Sequence, residues 1–214
     1  MNQVFVFGSS SAYGVGGKDG GWADLLKCRL HGELYGVNGR GEKWELFNFG
    51  KSGAKIAFAQ ETVEGQLKAY KRDGLTIALV SIGGNNAKAE NDPANFVSTV
   101  EEYTKEMTIF LTTLKRQVDH VFFVGSGTVD ESKTNPKISP FSDRKSYFTN
   151  ARRALFDEAL RGIAAEVGVT FIELGVDPDE WKEKYLYIDG LHPNQAGHQF
   201  ICDKVWEKIA PLIK

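Results

Sequence analysis

Three polar segments far apart in this chain carry chemistry if the fold brings them together. Near one end, Val4-Phe5-Val6-Phe7 runs into Gly8-Ser9-Ser10-Ser11-Ala12-Tyr13-Gly14, an apolar strand pattern that opens onto a turn of glycines and hydroxyls. Near the other, Asp189-Gly190-Leu191-His192-Pro193-Asn194 sets a carboxylate and an imidazole three residues apart. A serine hydroxyl is almost wholly protonated at neutral pH, so it attacks a carbonyl only when a base takes its proton. Imidazole is the side chain suited to that work. A carboxylate behind the ring selects its tautomer and steadies the imidazolium that forms. Acyl transfer also needs donors for the oxyanion. The N–H groups of Ser10 and Gly53 and the amide of Asn85, within Gly83-Gly84-Asn85-Asn86, would supply them. Glycine at position 53 leaves no Cβ between the backbone and a substrate. A serine, a histidine, an aspartate and these donors point to nucleophilic hydrolysis.

Such residues meet only if the elements between them place them on one edge. Short runs rich in Val, Ile and Phe occur at Val4–Phe7, Leu46–Phe49, Thr76–Ile82, Val121–Val124 and Val169–Ile172. Continuous apolar runs of this length suit strands buried on both faces of a parallel sheet. Helical patterns separate them at about 22–34, 56–72, 94–117, 146–167 and 195–213, with Asp92-Pro93 and Asp177-Pro178 as helix starts. The alternation predicts a three-layer α/β fold, a five-stranded parallel sheet flanked by helices, within a single domain over 1–214. Parallel strands end on one edge, so the turns after the first three strands and the His192 loop should converge there. The stretch Ser126 to Asp143 is the one long irregular segment, expected to form a lid or a pocket wall.

Composition narrows the partners. With 26 basic and 28 acidic residues the formal charge is -2, and no basic footprint for nucleic acid exists. No apolar run reaches membrane-spanning length, and the first strand starts too early to leave room for a signal peptide. The expectation is a cytoplasmic protein acting on a small-molecule ester, with no metal and no cofactor. Cys28 and Cys202 lack metal-ligand spacing and read as two buried thiols. His31 and His120 lack ligand partners, and His198 reads as a packing or capping residue. Trp181, Tyr185 and Tyr187, just before Asp189, are candidates to line an acyl pocket, with the Phe141 region a weaker one.

Four of these blocks, in order, resemble those of the SGNH hydrolases, also called GDSL esterases and lipases. Gly8-Ser9-Ser10-Ser11-Ala12-Tyr13-Gly14 is similar to the family's Gly-Asp-Ser-x-x-x-Gly, which assigns the nucleophile to Ser10 rather than Ser9 or Ser11. Gly53 matches the second-block glycine, and Gly83-Gly84-Asn85-Asn86 resembles Gly-x-Asn-Asp, giving Asn85 the oxyanion role. Asp189 through Pro193 meets Asp-x-x-His-Pro in full. The resemblance implies a flavodoxin-like sheet and a serine esterase acting through an acyl-enzyme on Ser10, with His192 as base and Asp189 behind it. Short-chain acyl esters or acetylated carbohydrates are the expected substrates. Ser9 and Asn86 stand where the family usually has aspartates. Two alternatives remain at this stage. A Gly/Ser turn after a first strand also binds phosphate, as in flavodoxins that hold flavin mononucleotide, and a degenerate enzyme can persist as a binding module.

Overall fold

Along the central strands, alternate side chains enter two different apolar cores. The computed structural model describes residues 1–35, 43–139 and 142–213. Its elements begin with β1 (Asn2–Gly8), α1 (Ser10–Tyr13), α2 (Trp22–Tyr35), β2 (Trp44–Asn48), α3 (Ile56–Tyr70), β3 (Thr76–Ser81), α4 (Gly84–Ala87) and β4 (Ala89–Glu90). They continue with α5 (Val100–Gln117), β5 (His120–Val124), α6 (Glu131–Thr134), β6 (Lys137–Ile138), β7 (Lys145–Tyr147) and α7 (Asn150–Val167). The last are β8 (Thr170–Ile172), α8 (Pro178–Glu180), a π-helical turn (Trp181–Tyr185), α9 (Gln195–Ile209) and a 3-10 turn (Ala210–Leu212).

Five strands form a parallel sheet in the order β2-β1-β3-β5-β8. Phe5, Phe7, Ala78, Val80, Val121 and Phe123 face a core closed by α3, α5 and α7. Val4, Val6, Ile77, Leu79, Phe122 and Val124 face the other, closed by α2 and α9. Burial on both faces is why the runs read as continuously apolar rather than alternating. Each large side chain removed from water contributes about 1.5–3 kcal/mol, which ties the strand edge rigidly to the layers. The chain leaves β1 for β2 on one side and later returns to β3 on the other. The carboxyl ends of β1 and β3 therefore flank a crevice where the strand order reverses, the ligand position of open α/β sheets.

Three expectations need correction. The helix expected from Asp92-Pro93 starts instead at Val100, because Thr99 and Glu102 form a reciprocal capping box that satisfies the first-turn donors better than an Asp-Pro start can. Asp92 caps a tight turn, accepting from the Ala94 N–H at 2.7 Å. The stretch 126–143 is not uniformly irregular. It contains α6 and β6, and with β4 and β7 it builds a small antiparallel sheet, β4-β7-β6. Two-residue strands carry too little periodicity to be seen in sequence. Of the two thiols only Cys202 is buried, and Cys28 is exposed on α2. Asp177-Pro178 does start a helix, its carboxylate accepting from the Asp179 and Glu180 N–H groups. Phe141 lies outside the described residues.

Candidate active site

The turn after β1 is held so tightly that only a small residue fits. A Cβ on Gly8 would lie 2.3 Å from the Ala12 Cβ and 2.9 Å from the Ser81 carbonyl oxygen, so β1 can turn directly into α1 beside β3. Ser10 is the first residue of α1. Its N–H is one of the donors a helix start leaves without an intrahelical acceptor. Asn48 at the end of β2 donates to the Ala12 carbonyl at 2.8 Å and fixes α1 from the other side.

Ser10 Oγ lies 2.7 Å from His192 Nε2, and His192 Nδ1 lies 2.6 Å from Asp189 Oδ2. Asp189 Oδ1 accepts the backbone N–H groups of Leu191 and His192, both at 3.0 Å. Burial opposes ionisation of this carboxyl. The ring hydrogen bond from His192 and the two backbone N–H groups outweigh burial and hold it well below the usual carboxylate range. An ionised carboxylate only accepts, so the ring proton belongs on Nδ1 and Nε2 is the lone pair facing the serine hydroxyl. That arrangement can move a proton from a hydroxyl to an imidazole.

The donors are less uniformly placed. Asn85 lines the same cavity as Ser10 and His192, and its amide donates to the Ala54 carbonyl at 3.1 Å. Gly53, with φ +78°, precedes Ala54 but is exposed and does not line that cavity. Asn86 is buried and structural. Its Oδ1 accepts the Ile56 N–H at 3.2 Å and its Nδ2 donates to Ser98 Oγ at 3.1 Å. Ser9 also borders the cavity, whose volume is about 100 Å³.

Several residues that pattern alone did not single out act on this site. Lys137, on β6, donates to the Asp189 carbonyl at 3.1 Å and sits 3.3 Å from Asp189 Oδ2. The Asp130 N–H donates to the Gly190 carbonyl at 2.8 Å. The Asp130 side chain accepts from Ser132 Oγ at 2.7 Å and pairs with Lys182 at 3.1 Å. The Ser132 hydroxyl bond, opposed by burial and assisted by Lys182, pulls the Asp130 carboxyl down to about 2. The length of the 126–143 stretch was the one signal that could have pointed to these contacts. Of the three aromatic pocket candidates, Trp181 lines the cavity, while Tyr185 stacks on Phe200 at 4.8 Å and Tyr187 is not in its wall. His198 is buried and structural. The Trp22 N–H donates to its Nδ1 at 3.1 Å, which leaves Nε2–H for the Val15 carbonyl at 3.0 Å. Among the described residues no cluster of His, Cys, Asp or Glu could hold a metal, and no helix is long and apolar enough to cross a membrane.

The family model described as GDSL-like lipase/acylhydrolase matches residues 6–200. None of the curated proteins matches the chain. Solved structures share the fold at low identity. The lipase/acylhydrolase from Enterococcus faecalis is 16% identical with a TM-score of 0.75, over 100% of this chain and 98% of that one. A psychrotrophic esterase from Pseudoalteromonas sp. is 15% identical with a TM-score of 0.69, over 99% and 98%. An acetylxylan esterase from Geobacillus stearothermophilus is 17% identical with a TM-score of 0.67, over 97% and 93%.

Proposed function

We propose a serine esterase mechanism on this premise: the chain belongs to the GDSL-like lipase/acylhydrolase family and is an ester-bond hydrolase. Ser10 Oγ attacks the ester carbonyl while His192 Nε2 takes its proton, and Asp189 holds the ring and stabilises the imidazolium. The tetrahedral oxyanion is met by the Ser10 N–H and the Asn85 amide, which border the cavity, with the Gly53 N–H completing the set once the exposed turn around it closes on the substrate. His192 returns the proton to the leaving alcohol, and an acyl group stays on Ser10. Water then attacks the acyl carbon as His192 takes its proton, and the ring passes that proton to Ser10 Oγ as the acyl–oxygen bond breaks and the acid leaves. The observation that carries this reading is the unbroken chain from Ser10 through His192 to Asp189, at 2.7 and 2.6 Å.

The substrate is a small ester with a short acyl group, and an acetylated carbohydrate is our preference. A cavity of about 100 Å³ is well below the roughly 300–1,000 Å³ of sites that bury drug-sized ligands. The shared fold with an acetylxylan esterase supports the preference without fixing the substrate. A fluorophosphonate probe tests the nucleophile. Labelling is expected in wild type, Ser9→Ala and Ser11→Ala, and absent in Ser10→Ala. Labelling that survives in Ser10→Ala would move the nucleophile elsewhere.

A further inference from the structure

The wall of the cavity beside the turn from β3 into α4 carries three polar side chains among apolar ones. Tyr103, 2% exposed, packs its ring on Phe156 at 4.5 Å and brings its hydroxyl to Gly83. A Cβ there would be 3.0 Å from Tyr103 Oη. Arg153 reaches the neighbouring Gly84, where a Cβ would lie 3.5 Å from Nη1. Its Nη2 donates to Ser126 Oγ at 2.7 Å and to the Gly127 carbonyl at 2.8 Å. Asp157, one turn further along α7, lines the same cavity. Among the described residues, Tyr103 Oη, the Nη1 and Nε groups of Arg153 and the Asp157 carboxyl have no hydrogen-bond partner in the protein. All three side chains border the cavity that holds Ser10 and His192.

Of this cluster the fold uses only Arg153 Nη2, which braces the segment after β5. Arg153 sits in the first turn of α7, where the helix dipole disfavours a cation. Arg153 and Asp157 are half-buried, and their unused polar atoms open onto the cavity, where a ligand can pair with them. Gly83 and Gly84 leave the approach between these groups and the β3–α4 turn clear of side chains.

We infer that Tyr103, Arg153 and Asp157 form a subsite for a neutral hydroxyl-bearing group of the substrate. The inference rests on the esterase reading above and deepens it. The guanidinium donates, the carboxyl accepts, and the phenol does either, which matches a hydroxyl's own donor and acceptor. The facing charges of Arg153 and Asp157 offset each other, so neither an anion nor a cation is favoured. The hydroxyl belongs either to the acyl group or to the alcohol, and the two sources are separable by substrate.

One experiment compares kcat/KM within two pairs of esters that differ in hydroxyls. The acyl arm sets p-nitrophenyl glycolate against p-nitrophenyl propionate, and the alcohol arm sets acetylated xylose against cyclohexyl acetate. Each ratio is measured in wild type, Tyr103→Phe and Arg153→Met. Ratios cancel partial losses of folded enzyme, and Tyr103→Phe removes only one oxygen. In the arm that uses the subsite, the ratio is expected to fall about fivefold in Tyr103→Phe and roughly thirtyfold in Arg153→Met, the size of a neutral and a charged hydrogen bond. Ratios unchanged by both substitutions in both arms overturn the subsite while leaving the esterase reading intact. So does a wild-type preference for a hemisuccinate over the hydroxylated esters. No turnover of any of these esters, with Ser10 unreactive to fluorophosphonate, removes the esterase reading and the subsite with it.

Discussion

The two ends of the proposed catalytic chain are positioned by different physics. Ser10 follows a strand with six of seven residues buried, paired in register on both sides. Its turn is fixed by main-chain bonds from Ser9 to Ser81 and from Lys51 to Gly8, both at 3.1 Å. Asp189 and His192 stand in a loop with no regular structure. That loop is closed by a bridge between Leu186 and Pro193 and by the Tyr187 N–H on the His192 carbonyl at 2.7 Å. Besides Ser10, it is tied from outside by Asp130 and Lys137, which come from the segment between β5 and β7. The serine end is set by the core. The acid–base end is set by a handful of polar contacts, so it is the end that surface substitutions should reach.

The largest effects make the two ends equal. Because the three residues act as a unit, Ser10→Ala and His192→Ala should each cost on the order of 10⁶ in kcat, measured on an activated ester. A His192→Ala variant that kept a hundredth of the wild-type rate would break the chain of proton transfer. Gly8→Ala tests the rigid end. With its Cβ 2.3 Å from the Ala12 Cβ, overpacking should cost about 1–3 kcal/mol and lower both Tm and kcat.

The sheet was legible in sequence, and so was the convergence of the candidate site residues Ser10 and Asn85 on its edge. Strands buried on two faces leave unbroken apolar runs, and the residues following them, Ser10 and Gly83 to Asn86, inherit their position from the sheet edge. The His192 loop was legible as a local spacing, since Asp189 and His192 bond within three residues. Lys137, Asp130, Tyr103 and Arg153 were not. Each reaches the site through tertiary contact from an element whose own pattern says nothing of it. Cys28 misled for a related reason: a helical pattern shows that a residue is in a helix more readily than which face it occupies.

A smaller effect separates two adjacent asparagines. Asn85→Ala should lower kcat about 10²–10³-fold with little change in KM, the cost of one lost oxyanion donor. Asn86→Ala should instead lower stability by about 1–3 kcal/mol, because it strands the Ile56 N–H and Ser98 Oγ. Thermal unfolding and kinetics together check this. A larger kcat loss in Asn86→Ala would shift the oxyanion assignment by one residue.

Asp130 probes the segment that braces the His192 loop. Its folded-state carboxyl, at about 2, lies below its ordinary 3.8. Its stabilisation is therefore present above the ordinary value and is lost as pH falls towards 2. Asp130→Asn should lower Tm at neutral pH, and the gap from wild type should narrow with acidification below about pH 4. A gap that stays constant down to pH 2 would show that the charge on Asp130 is not what braces the loop.

Lys137 should give the smallest effect and the most specific one. Its ammonium lies 3.3 Å from the same Asp189 oxygen that accepts the His192 ring. A positive charge there offsets part of the carboxylate's hold on the imidazolium. Removing it leaves the carboxylate freer to stabilise the protonated ring, so the base becomes harder to deprotonate. In Lys137→Gln the acid limb of the kcat/KM profile should move to higher pH, the direction set by removing a cation next to the carboxylate. Glutamine can still donate to the Asp189 carbonyl, so kcat on the high-pH plateau should fall by less than about tenfold. Lys137→Arg, which keeps the charge, should return the limb to its wild-type position. A plateau loss with no movement of the limb would mean that Lys137 only props the loop. A limb moving to lower pH would reverse the sign of the charge argument and break the distinction between the two ends.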